Sequence, residues 1–163
     1  MREQEASDDA VPTRIGQAVM LLHGGDREEA RNRFGALWSE LAASGDAFHR
    51  CTLAHYLADT QDDPGDELAW DLRALAAADR LSADRTGADQ AGADRAPVRQ
   101  AVLAFYPALH LSLAADYVKL QRPTSARIHL DRAREAMAAL GDGGCGPDLH
   151  TATERLERLL GDG

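Results

Sequence analysis

Two pairs of alanines, each pair twelve residues apart across a breaker-rich turn, constrain this chain more than any other feature. Ala18 precedes Ala30 across His23-Gly24-Gly25-Asp26, and Ala114 precedes Ala126 across Gln121-Arg122-Pro123. Each second alanine opens the same spacing, Ala30-x3-Phe34-x2-Leu37 and Ala126-x3-Leu130-x2-Ala133. A small residue, a tight turn and a second small residue at that distance is the arithmetic of two antiparallel helices packed closely. Helices faced with small side chains approach near the low end of roughly 8–10 Å between axes. Hydrophobic residues make up 44% of the chain and aromatic residues only 5%, so Ala and Leu must build the core. A length of 163 residues suits one domain with a core of its own.

Apolar residues recur at helical spacing along most of the chain, and no segment reads as a strand. The first helix spans 12–23, opened by Pro12 and Thr13 and stopped by Gly24-Gly25. Asp26, with Glu29 three residues on, caps a second helix over 27–44 that Ser44-Gly45 ends. A third helix covers 46–60. Asp63 before Pro64 opens a fourth over 64–80, with Asp66 and Glu67 in the first turn, where the helix dipole favours them. A fifth runs over 97–119, with a kink or break expected at Pro107. A sixth covers 123–140. After the glycine-rich break at Gly141–Pro147, a last helix to Leu160 carries Leu149, Leu156 and Leu159 mainly on one side, as a capping helix requires. Residues 1–11 are acidic and polar and read as a disordered tail before a domain over 12–161. Within it, 82–97 repeats Gly-Ala-Asp and reads as a mobile low-complexity loop, a spacer or a lid.

These hairpins resemble the tetratricopeptide-repeat family, whose unit of about 34 residues places small residues at fixed points in both helices. The third unit carries the pattern best, with Leu113-Ala114-x2-Tyr117 followed by Ala126, Leu130 and Ala133. The first has Ala18 and Leu21, then Ala30, Phe34 and Leu37. The second has Leu53-Ala54-x2-Leu57, and its second helix admits two registers, Ala69-x3-Arg73-x2-Ala76 or Leu68-x3-Leu72-x2-Leu75. Arg14, Arg50 and His110 stand where the family has tryptophan, and the units are 36 residues (Ala18 to Ala54) and 60 residues (Ala54 to Ala114) apart. The resemblance covers roughly 12–140. It implies an all-α fold of antiparallel hairpins stacked as a right-handed superhelix, closed by the C-terminal capping helix. An irregular helical bundle is the alternative.

The resemblance also implies a binding function, with the first helix of each hairpin lining a concave groove for a peptide or partner helix. Carried over, the groove residues are Ile15, Val19, Leu22 and His23 in the first unit. In the second they are Phe48, Cys51, His55 and Asp59, and in the third Leu111, Ala115, Val118 and Lys119. Ala58, Ala108 and Ala115 would leave room for a guest side chain. The expected partner is a protein or peptide, with a second copy of the chain as the alternative occupant.

Chemistry is sparsely signalled. His55 and Asp59 share a helix face, and with His110 they are the one candidate catalytic or metal-binding constellation, weighed against an ordinary contact in the groove. There is no HExxH, paired CxxC, phosphate loop or nucleophile elbow, so no cofactor, metal or catalytic residue is assigned. The acidic run Asp62-Asp63-x2-Asp66-Glu67 lacks calcium-loop spacing and reads as a solvated turn. A net charge of -9 argues against nucleic acid and anionic membranes. Cys51 and Cys145 read as free thiols, and the N-terminus has no apolar signal core, which together suggest the cytoplasm. A single lysine, Lys119, among abundant Ala, Gly, Asp and Arg suggests a GC-rich genome of actinobacterial type. A regulator's sensing portion is a further reading of the same fold.

Overall fold

The computed structural model describes residues 2–41, 46–83, 96–141 and 145–161. Among these the protein is all helical. The helices are α1 (Arg2–His23), α2 (Arg27–Leu41), α3 (Ala47–Asp59), α4 (Pro64–Ala83), α5 (Ala96–Lys119), α6 (Pro123–Leu140) and α7 (Pro147–Leu160). The caps are those the turn residues call for. Asp26 Oδ1 accepts from the Glu29 amide at 3.3 Å, and Asp46 Oδ1 from Phe48 at 2.7 Å. Asp63 Oδ1 accepts from Gly65 at 2.7 Å, and Pro123 and Pro147 open α6 and α7.

Several helix limits differ from the sequence reading. Helix α1 begins at Arg2, so Pro12 lies within it and the segment read as a disordered tail is helical from its second residue. Helix α5 runs unbroken through Pro107, whose side chain is fully buried. Burial of the ring holds in place a residue that would otherwise break an exposed helix. The stretch read as a loop over 82–97 is helical at both ends, with 82–83 in α4 and 96–97 in α5; its remainder, 84–95, lies outside the described residues, as do Ser44-Gly45 and 142–144 of the glycine-rich break.

Each helix packs on the next, and α1, α3, α5 and α7 also touch one another in that order. The interior follows the same progression in three clusters. The first joins α1 and α2 (Ile15, Ala18, Ala30, Phe34) to Leu53 and Leu57 of α3. The second joins α3 and α4 (Cys51, Ala54, Ala74, Ala78) to Val102 and Leu109 of α5. The third joins α5 and α6 (Leu111, Ala114, Leu130, Ala133) to Leu156 of α7. Every hairpin therefore closes its core against the first helix of its successor. The four alanines of the twelve-residue pairs, Ala18, Ala30, Ala114 and Ala126, are all fully buried.

By length and composition alone Gln100–Lys119 in α5 is apolar enough to cross a membrane, with a mean hydropathy of 1.3. Its apolar character has a local cause, because α5 packs against α4, α6 and α7.

Candidate functional site

The buried stripe of α4 departs from those of the other second helices. In α2 it is Ala30, Phe34, Leu37 and Leu41, and in α6 it is Ala126, Leu130, Ala133 and Met137. In α4 the same spacing falls on Glu67, Asp71, Ala74 and Ala78, of which the last three are buried and Glu67 is half-buried. Neither register offered by the sequence is the one adopted. A carboxylate stands at the small-residue crossing and another at the large apolar position. From α5, Asp116 joins them, fully buried. One oxygen from each of Glu67, Asp71 and Asp116 lies within 4.8 Å of the other two.

Compensation for these charges is incomplete. Lys119 Nζ donates to both Glu67 oxygens, at 2.9 and 3.0 Å, from an exposed position. His55 on α3 brings its Nδ1 to 3.7 Å from Asp71 Oδ1, too long for a hydrogen bond. Among the described residues, Asp71 Oδ1, both Asp116 oxygens and His55 Nδ1 are buried without a hydrogen-bond partner. Two unit charges at that separation repel by about 3–4 kcal/mol even at an effective dielectric constant near 20. Burial first, then Asp71 and Glu67, raises the pKa of Asp116 far above the carboxylate range. Asp59, at the rim, is also raised by desolvation, against the opposing pull of His55.

The groove residues divide by depth. Ile15, Cys51 and Leu111 are buried in the three cores, so they cannot line an open groove. Each sits three residues before a crossing alanine, Ala18, Ala54 or Ala114, on the face each first helix turns to its partner. Ala58 is fully buried as well and leaves no room for a guest. Val19, Leu22, Phe48, His55, Ala115 and Val118 are half-buried, and His23, Asp59 and Lys119 are exposed.

The proposed union of His55, Asp59 and His110 is not formed. His110 turns instead to α6, where its Nδ1 lies 3.1 Å from Nδ1 of His129. Tyr106 stacks on His110 at 6.0 Å and Tyr117 on His129 at 5.5 Å, making a run of four rings. Burial lowers the pKa of His110 to about 4, helped by His129 and Arg132. His129 is lowered for the same first reason. Nearby, Trp38 and Trp70 meet edge to face at 5.1 Å, bridging α2 and α4. Beside Trp38, a hollow of about 210 Å³ is walled by Arg50, Arg73 and Arg80, a local positive surface on an acidic chain.

Glu67, Asp71 and Asp116 were missed in the sequence because nothing in their spacing matches a ligand motif. The available signal was positional, since the α2 and α6 registers laid over α4 put two carboxylates on the inner face. No protein-family model matches this chain, and no curated protein or solved structure is significantly similar to it.

Proposed function

We propose that this protein is a non-enzymatic scaffold of tetratricopeptide-like hairpins that holds a segment of another protein along the face formed by α1, α3 and α5. The observation that carries this reading is the succession of cores, each hairpin sealed by the first helix of the next. That nearest-neighbour arrangement is how helical solenoids stack. It supports a right-handed superhelix in which α7 caps the last hairpin. The half-buried Val19, Leu22, Ala115 and Val118 and the exposed His23, Asp59 and Lys119 are the residues of that face still within a partner's reach. A net charge of -9 favours a neutral or basic partner segment with an apolar anchor. Two free cysteines fit the reducing cytoplasm.

The test is capture followed by reconstitution. Wild type and a Val19→Arg/Ala115→Arg variant are immobilised after circular dichroism shows both folded. A protein retained by wild type alone is then purified and its Kd measured with each. Scaffold binding predicts a Kd weakened at least tenfold in the variant. Equal affinity for both, or self-association of the chain as the sole interaction, would refute the groove reading.

A further inference from the structure

We propose that Glu67, Asp71 and Asp116 form a divalent-cation site that takes one hard ion of the magnesium–manganese class, with His55 lying beside Asp71 at its edge. The inference goes beyond the scaffold reading and does not depend on it. Three facts converge. The three carboxylates come from two helices to within 4.8 Å of each other. Asp116 is fully buried and Asp71 nearly so, with three of their oxygens lacking any hydrogen-bond partner among the described residues. His55, on a third helix, directs an equally unpartnered nitrogen to 3.7 Å from Asp71 Oδ1.

The spacing fits a single ion. Two donors about 2.1 Å from one metal stand roughly 3.0 Å apart at right angles and about 4.2 Å apart when opposite. The three carboxylate oxygens, each within 4.8 Å of the others, stand at most about 0.6 Å beyond the wider limit, a distance that small side-chain rotations close. Donor chemistry then selects the metal. There is no thiolate in the cluster, which removes the usual reason for zinc, and three carboxylates favour a hard cation. Calcium asks for six to eight oxygens, generally including backbone carbonyls. Here the donors project from helices, whose carbonyls are committed to helical hydrogen bonds. Three protein carboxylates completed by water suit magnesium or manganese.

Such an ion would do structural work. Glu67 and Asp71 lie on α4 and Asp116 on α5, so the metal would bridge the second hairpin to the third. Lys119 occupies Glu67 from the solvent side and is free to swing out, since half of its side chain is exposed. It acts as a placeholder that keeps Glu67 paired when the ion is absent.

The full-length chain is stripped with chelator, dialysed and titrated with manganese chloride. Free manganese is followed by its electron paramagnetic resonance signal, and Tm is measured in parallel. One bound Mn²⁺ per chain, a rising Tm, and competition by Mg²⁺ are expected. Asp116→Asn should weaken binding by more than the roughly 10- to 100-fold carried by outer partners of metal ligands, and should abolish the Tm response. Asp62→Asn/Asp63→Asn, in the exposed acidic turn, should leave both unchanged. If Asp116→Asn fails to fold, Glu67→Gln at the half-buried rim reports the same loss. An undiminished free-manganese signal and an unmoved Tm at millimolar Mn²⁺ or Mg²⁺ would overturn the proposal and leave a proton shared between Asp71 and Asp116. Equal binding by wild type and the folded variants would overturn it too, by placing the ion elsewhere.

Discussion

Lowering the pH should attack this fold first at the histidine pair between α5 and α6. His110 is buried, its Nδ1 is 3.1 Å from that of His129, and its pKa is lowered from 6.5 to about 4. One neutral imidazole donates to the other across that contact, and burial disfavours the charged form of either ring. The unfolded chain binds a proton at His110 near pH 6.5, and the folded chain only near pH 4. The stabilising contribution is therefore complete above about pH 6.5 and declines as the pH falls, until it is exhausted near the folded value. At about 1.4 kcal/mol per pH unit the loss from His110 alone comes to about 3 kcal/mol. His129, lowered in the same direction, adds to it. Tyr106, Asp79 and Arg132 also face the pair, and Asp79 alone pulls the other way.

Carboxylates titrate over the same range, so the measurement must be differential. A His110→Phe/His129→Phe variant keeps two stacked rings of similar size and removes both protons, while every carboxylate is common to both proteins. Urea unfolding of each from neutral pH to about pH 4 gives ΔG for wild type minus variant. That difference should shift against wild type by about 3 kcal/mol or more, most of it below pH 6.5. In a protein of this size it corresponds to a relative fall in Tm of about 6–12 °C. A difference that stays flat within about 0.5 kcal/mol across the range would refute the argument, because it would mean that the rings accept protons in place.

Three further outcomes follow from the packing. Ala126 is fully buried on α6 opposite the α5 alanine stripe, so Ala126→Phe should overpack the third hairpin by about 1–3 kcal/mol, read as a lowered urea midpoint. Melting like wild type would mean that the hairpin pairing is wrong. Gly25 ends the first turn with φ +93°, so Gly25→Ala should cost about 1 kcal/mol in the same assay despite open space around it. Burial pushes the Cys51 thiol up to about 12, aided by the Asp79 charge, whereas Cys145 is half-buried. One thiol should therefore react with a disulfide reagent in the native protein and two in urea; two fast native thiols would contradict the burial of Cys51.

Where local chemistry decides the outcome, the fold was legible. The capping Asp26 and Asp63 and the proline start of α6 follow from residues within a turn of each other, and the buried alanine crossings of the first and third hairpins from a twelve-residue spacing. The errors arose where tertiary context overrides such signals. Pro107 carries the mark of a kink or a break, and of these the break is not made: its ring is buried and α5 continues through it. Ile15, Cys51 and Leu111 lie on first helices, and membership of a helix does not say which flank meets the partner and which meets the core.

The same limit explains why the carboxylate cluster escaped notice, and why it carries weight. Reading periodicity assumes that inward positions are apolar, so in α4 it slides the register by one or two residues until leucine or alanine falls inside. The structure keeps the α2 and α6 register and accepts Glu67 and Asp71 at those inner places. Leu72 was available at the neighbouring position and is left exposed. Turning Asp71 inward and Leu72 outward is the opposite of what burial energetics alone would choose, since an isolated buried charge costs far more than an exposed leucine forgoes. Such an inversion persists only if something compensates the carboxylates. Lys119 reaches Glu67 alone, and no described side chain hydrogen-bonds Asp116. A cation or a shared proton must supply the remainder, and the manganese titration separates the two.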